Sequence, residues 1–459
     1  MNDPARHGQT PPSGIAPFAV LIGGQLLSFL GTTLSGIGIG IWVFAQTGSV
    51  MTFAGLMILT LVPAILMSPF GGVIADTWPK KPAMLAVDSL SGVTSLVMLA
   101  LLTSGRLELW HLYANAVISG MALGLQRPLF ESTTPLMVRG DRLAAVNGVV
   151  HAVAGIGQIV APVLAGALIG SFGLVYLLVI DAGTFVIALA CVIAVKVPNA
   201  PKRARAGENW FASFREGWRF VRDRRGLHAM FWFTALRNYL FATCEVVVLP
   251  LLLILTTAET AGAVLSVGGL GVLAGGLLMG LLARSRRLIV WVILAQGLTG
   301  IAMIVGGVTT DLAVIAAALA LAFMAFPIEE ASSTTIMQRK VPAELLGRVA
   351  SVRNMMSMSA PPLAMLVAAP LADRVFEPLM REGGRLSTSV GLLTGTGPGR
   401  GMALLLLVAG VATLILAIAG WRSATLRDVE TDLPDHDHGR RLDAAHQPPA
   451  AAPMVGMTG

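Results

Sequence analysis

Arg237 and Glu245 stand inside one long apolar stretch, 227–255, of this 459-residue chain. A charge near the centre of a bilayer costs on the order of 2.5–3.5 kcal/mol on insertion scales, so such groups are paired or they work. Eight residues of helix rise about 12 Å, too far for these two to pair with each other. Each needs another partner or a water-filled cavity. A carboxylate held in a helical bundle can bind and release a proton near neutrality, which a proton-coupled carrier needs. Glu245 is the first candidate for that coupling and Asp181, in another apolar stretch, the second. Arg237 is a charge partner or a substrate contact. His151 precedes Gln158 by two helical turns, on nearly the same face, and completes the proton-coupling set. Competing structural readings are an ion pair for Glu245, a hydrogen bond to a neighbour for Asp181, and a satisfied core histidine for His151.

Other charges sit nearer the ends of apolar stretches. Asp88 follows Pro82 by six residues, and Glu131 follows Arg127-Pro128. Both read as acids of a conformational switch, Asp88 pairing with a basic loop and Glu131 clamping two helices. Glu329 and Glu330 read as gate or solvated charges. Gln25, Ser28, Thr32 and Ser35 recur at helical spacing, and lipid would reject such a stripe, so it is expected to line a central cavity. Phe29 and Tyr239 would add aromatic surface there for an amphiphilic ligand.

Twelve apolar stretches must position these groups: 19–45, 57–74, 84–102, 109–125, 146–169, 175–195, 227–255, 261–282, 288–308, 312–326, 355–371 and 402–421. A hydrocarbon core about 30 Å thick needs roughly 20 apolar residues of helix. Backbone groups in lipid must be satisfied within the segment, so a helical bundle follows. The composition agrees: 55% hydrophobic and only 12% charged, with a mean hydropathy of +0.76. The expected fold class is an all-α membrane protein, twelve transmembrane helices in two six-helix halves. Cys191 and Cys244 both fall in apolar stretches and read as small buried hydrophobes, not as metal ligands or a disulfide.

The net charge of +7 is a topology signal, not a sign of nucleic-acid binding. About 26 of the 32 Lys and Arg residues fall on one side of the alternating helices. That side includes Lys80, Lys81, the 196–225 cluster and the 339–353 group, and it carries both termini, which are therefore expected in the cytoplasm. The expected divisions are a tail 1–18, a first half 19–197, a linker 198–226, a second half 227–422 and a tail 423–459. Residues 1–17 lack a basic region followed by a cleavage site, so the first helix should remain in the mature protein. In the linker, Trp210, Phe211, Phe214, Trp218 and Val221 share one helical face and Arg215, Arg219 and Arg222 the other. This predicts an amphipathic helix on the membrane surface.

A faint repeat links the halves. Gly71-Gly72 leads to Asp76, Lys80 and Lys81, and Gly275-Gly276 leads to Arg284, Arg286 and Arg287. Matching turns in two six-helix halves are a mark of alternating-access transporters.

The 71–81 turn resembles the signature loop of the major facilitator superfamily, in which Asp76, Lys80 and Lys81 would lock one conformer. Gly157, Ala161-Pro162 and Gly166 resemble that superfamily's antiporter motif. Further pieces resemble its macrolide-efflux and enterobactin-exporter branch: 24–31, Val341-Pro342 with 347–349, Pro370 to Asp373 with 376–378, 397–401 and 432–435. The resemblance implies a proton-driven exporter of an amphiphilic small molecule, such as an antibiotic or siderophore-like product, in a bacterial inner membrane. An uptake carrier or a lysophospholipid or lipid flippase on the same fold is the alternative. The expected partners are that substrate, protons and the lipid bilayer, with no nucleic acid, and the protein is read as a monomer. No cofactor, metal or catalytic residue is expected. No Gly-x-x-x-x-Gly-Lys-Ser/Thr loop, His-Glu-x-x-His helix or Gly-x-Ser-x-Gly elbow occurs, so neither an enzyme nor a self-contained ATP-driven pump is indicated.

Overall fold

The computed structural model describes residues 15–138, 143–198, 210–282, 285 and 287–433. The side chains of Asp76, His151 and Gln158 lie outside the described residues, as do segments 199–209 and 434–459. The long helices of the first half are α1 (Ile15–Thr47), α2 (Val50–Thr77), α3 (Lys80–Thr103), α4 (Leu109–Met137), α5 (Leu143–Phe172) and α6 (Leu174–Ala194). The short α7 (Trp210–Arg222) follows. Then come α8 (Arg225–Leu255), α9 (Ala258–Leu282), α10 (Leu288–Val308), α11 (Leu312–Lys340) and α12 (Ala343–Pro370). A π-helical turn, Leu371–Phe376, continues α12 into α13 (Glu377–Met380). After α14 (Gly391–Thr394), α15 (Arg400–Arg422) crosses back, and α16 (Ala424–Arg427) and α17 (Val429–Asp432) close the described chain.

Among the described residues, eleven helices are long and apolar enough to cross a membrane. The twelfth long helix, α4, has 29 residues, about 43 Å of helix. Trp110, His111, Tyr113 and Asn115 dilute its hydropathy at one end and Arg127 and Glu131 at the other. It packs along α2 where glycines leave room: a methyl group on Gly120 would lie 2.1 Å from the Thr60 carbonyl oxygen, and one on Gly124 2.4 Å from that of Ala64.

The repeat is visible in the packing. A methyl group on Gly71 of α2 would meet the Gly124 carbonyl at 2.8 Å and Pro128 Cγ at 3.1 Å. One on Gly275 of α9 would meet the Met324 carbonyl at 2.1 Å and Pro327 Cγ at 3.0 Å. In each half a glycine thus lets a helix seat against a proline-bearing partner, α2 on α4 and α9 on α11. Small residues are what permit such close membrane-helix approach.

The two ends of the bundle differ. At the end of the short connections, one hydrophobic core joins both halves. It contains Phe44, Val50 and Phe53 of α1 and α2 together with Val247, Leu251 and Leu252 of α8, Val264 of α9 and Ala369 of α12. At the end rich in Lys and Arg, the basic end, each half has its own core. Phe18, Leu21, Met84, Leu129 and Val192 form one; Phe231, Leu288, Ile336 and Val349 form the other. The halves therefore meet at the short-loop end and stand on separate cores at the basic end. The linker helix α7 packs on α12, where Gly217 lies against the Arg348 carbonyl, and its Glu216 pairs with Arg348.

Candidate functional site

Two buried acids sit in the first half, each held by neutral donors. Asp181 of α6 is 3% exposed. It accepts hydrogen bonds from Ser95 Oγ at 2.7 Å, Ser35 Oγ at 3.0 Å and Thr32 Oγ1 at 3.2 Å. Gly31 makes this cage possible, because a methyl group there would lie 2.2 Å from Thr184 Oγ1 and hold α1 away from α6. Asp88 of α3 accepts from Gln25 Nε2 at 2.7 Å and Gln126 Nε2 at 2.9 Å, and Gln126 also donates to Gln25 Oε1 at 3.0 Å. No described basic side chain pairs with either acid. A hydroxyl can donate or accept, so the Asp181 cage can satisfy the carboxyl with or without a proton.

The second half handles charge differently. Arg237 of α8 is buried and donates to Glu329 Oε2 at 3.0 Å and to Glu330 Oε2 at 3.3 Å, both on α11. Arg353 of α12 pairs with Glu330 from the other side. Asn238 Oδ1 accepts from Arg237 Nε and Nη2 at 3.1 and 2.7 Å, and the guanidinium lies 5.7 Å from the Phe326 ring centre. Two arginines and two glutamates make a network with no net charge, the form in which buried ions are tolerated. A proton on either glutamate would leave the buried group net positive, so this network suits a fixed strut better than a proton carrier.

Glu245 is the exception. It lies about two thirds of the way along α8, is exposed, and bonds to no other described side chain. Arg237, Phe241 and Glu245 follow one another at helical spacing. Phe241 packs between Phe323 and Phe326 of α11, with ring centres 5.4 and 5.6 Å away, and so separates Glu245 from the arginine network.

Several groups hold the halves together or fasten helix ends. Asp373, in the π-helical turn of the second half, accepts from Ser49 Oγ at 2.7 Å and from the backbone N–H groups of Met51 at 2.8 Å and Val50 at 3.1 Å. It thereby caps α2 of the first half, where a carboxylate meets the positive end of the helix dipole. Across the other seam, Gly166 of α5 faces the Ala258 carbonyl, and Gly262 of α9 faces the Pro162 carbonyl. A methyl group would lie 2.3 and 2.2 Å from these oxygens. Ser266 Oγ donates to the Ile159 carbonyl on the same seam. At the basic end Lys80 is buried and bonds to the Ala75 carbonyl and, at 2.7 Å, to Ser132 Oγ. Lys81 donates to the carbonyls of Ile193 at 2.6 Å and Val195 at 3.0 Å, closing the end of α6.

Residues 21–365 match the sequence profile described as Major Facilitator Superfamily. The chain belongs to that superfamily. It is a multi-pass membrane protein of a transporter family, not an enzyme. The chain is 24% identical over 365 residues to macrolide efflux protein A of Streptococcus pyogenes, covering 78% of this chain and 90% of that protein. It is 23% identical over 366 residues to the multidrug efflux pump Tap of Mycolicibacterium fortuitum, covering 76% and 90%. Among solved structures, a POT family transporter in complex with 5-aminolevulinic acid superposes with a TM-score of 0.69 at 11% identity, covering 92% of this chain and 99% of that one. A bacterial homologue of the lysosomal transporter Spinster, inward-facing and unoccupied, superposes with 0.67 at 14% identity, covering 91% and 97%.

Several expectations from the sequence change against this geometry. The polar stripe of α1 divides between buried and exposed positions: Gln25, Ser28 and Ser35 are buried and Thr32 is exposed. Gln25 and Thr32 bond to Asp88 and Asp181. Asp88 pairs with amides instead of a basic loop, and Glu131 forms a surface pair with Arg127 at 3.0 Å instead of an interhelix clamp. Glu329 is a buried ion-pair partner, not a solvated charge. Phe29 is exposed, beside the close contact of Gly157 with Leu30. Ala161 is buried in a core of the first half with Leu34, Ala165 and Leu177. Tyr239 lies in a groove within the second half. Asp373, marked in the sequence only as part of a resembling stretch, and Gln126, which the sequence does not single out, both make hydrogen bonds between helices.

Proposed function

We propose that the protein is a proton-coupled exporter of an amphiphilic small molecule, working by alternating access in a bacterial inner membrane with both termini in the cytoplasm. The observation that carries this reading is Glu245: an exposed carboxylate about two thirds of the way along α8, without a partner among the described side chains, in a bundle whose halves share a core at one end only. The efflux relatives support the direction of transport, and the Spinster homologue's inward-facing form supports taking the separate cores at the basic end as an inward-facing state. In this scheme the halves 19–197 and 227–422 rock about the linker 198–226. Substrate enters from the basic end, and a proton on Glu245, with Asp181 as the second acid, favours release and return. Asp373 and the α5–α9 seam hold the outer side shut, and the loop at Asp76, Lys80 and Lys81 stabilises the outward-facing form.

The test is proton movement in inverted vesicles carrying an internal pH dye, with macrolides, siderophores and cationic dyes as candidate substrates. Substrate-dependent dissipation of the gradient is expected, and Glu245→Gln should abolish it at unchanged expression and helix content. Undiminished antiport by that variant would remove Glu245 from the mechanism.

A further inference from the structure

A groove with no acid in its lining lies within the second half. It has a volume of about 830 Å³ and is lined only by α7, α8, α12, α15 and α16, in the range of small-ligand sites. Trp232, Tyr239, Met355, Leu363 and Leu416 form its wall, with Trp218 of α7 at its mouth. Trp232, Met355 and Leu363 are about half exposed, so the groove is open along its length. Its only polar side chains are Tyr239, Ser359, Ser423 and the indole N–H groups of Trp218 and Trp232.

Depth, frame and charge point to one occupant. From Ala229 to Tyr239 the lining of α8 climbs ten residues, about 15 Å, which is half of a hydrocarbon core of about 30 Å. The groove is thus one leaflet deep. Its mouth has a built aromatic frame: Trp232 Nε1 donates to His228 Nε2 at 3.1 Å, and His228 meets the Trp218 ring edge-on at 6.2 Å. Indoles at this depth are characteristic of the membrane interface. Arg219, Arg422 and Arg427 each adjoin a lining residue in sequence, and Arg225 lies one turn before Ala229; all four are exposed. Glu216 and Asp428 each lie two residues from a lining residue; Glu216 pairs with Arg348 and Asp223 with Arg222 at 3.5 Å, which leaves Asp428. Four exposed arginines thus stand on the elements that form the mouth, and the lining itself is largely apolar.

We propose that this groove holds one acyl chain of an anionic phospholipid from the leaflet at the basic end, with its phosphate among the mouth arginines. The interfacial attraction of such basic residues for anionic lipid is general.

The test uses the full chain in detergent with equal phosphatidylcholine and phosphatidylglycerol, read by native mass spectrometry. One phosphatidylglycerol should remain bound to the parent. Ala419→Phe, which fills the groove, should weaken its retention at least tenfold, and Arg422→Gln with Arg427→Gln should erase the preference for the anionic lipid. Equal retention of both lipids by the parent, or undiminished phosphatidylglycerol on Ala419→Phe, would overturn the proposal. A second measurement needs no filled groove. Brominated phosphatidylglycerol in vesicles should quench tryptophan fluorescence with a component that saturates at low mole fraction and disappears in Trp232→Phe. Quenching that only rises in proportion to mole fraction would mean ordinary annular lipid. Release of the bound lipid by a transported compound would make the groove an entry portal instead.

Discussion

At the scale of single residues, the chain sorts its buried acids by partner. Asp181 is bonded by hydroxyls, Asp88 by amides, and Glu329 and Glu330 by guanidinium groups. Removing one member of the last set should be the most damaging. Arg237→Met would leave Glu329 buried without its ion partner, a loss of about 3–5 kcal/mol, read as a lower unfolding transition in detergent. Arg237→Met with Glu329→Leu should recover most of it, because Arg353 and Glu330 still answer each other. Asp181→Asn should behave oppositely: its hydroxyl cage can serve an amide, so stability changes by about 1 kcal/mol or less. If Asp181 takes part in coupling, that variant nonetheless loses the pH dependence of efflux. The sequence made Arg237 and Glu245 conspicuous, because charge conflicts with hydropathy there. It could not reveal that Arg237 reaches Glu329, 92 residues away, since sequence spacing carries no register between distant helices. The α1 stripe, with Gln25 buried and Thr32 exposed, is a related case. Polar spacing shows that a helix face is polar, not whether that face meets water or another helix.

At the scale of elements, apolar length located the helices and misjudged their ends. The stretch 312–326 stops where Glu329 and Glu330 begin, yet α11 runs to Lys340, because arginines on α8 and α12 neutralise those charges inside the protein. The glycine seams, by contrast, were partly legible, since Gly157 to Gly166 and Gly71 to Gly72 stand out as small-residue runs. Their partners were not. Gly262→Val should jam α9 against the Pro162 carbonyl, where even a methyl group would sit at 2.2 Å. Transport should fall at least tenfold while the protein still reaches the membrane, checked by vesicle uptake against immunoblotting. Normal transport would show that the seam opens wider than this contact requires.

At the scale of the whole molecule, the two ends of the bundle are asymmetric in what holds them. Asp373 bonds three groups of α2 across the seam. Asp373→Asn keeps the shape and loses the charge on a helix N-terminus, about 0.3–1 kcal/mol. That is up to about fivefold in the balance of conformers, read as faster labelling of a cysteine at Phe44 from the short-loop end. Unchanged labelling would assign the closure to apolar packing alone. Two repeated halves were legible in the sequence through matched turns, but which end was closed was not, because closure depends on contacts between segments hundreds of residues apart.

The shared core at the short-loop end has a thermal consequence. Opening that end must wet Phe44, Phe53, Val247 and Leu251. Newly wetted apolar surface raises heat capacity, and its cohesion weakens on cooling. Cold should therefore loosen this gate while heat seals it, and the temperature profile of turnover should bend instead of following a straight Arrhenius line.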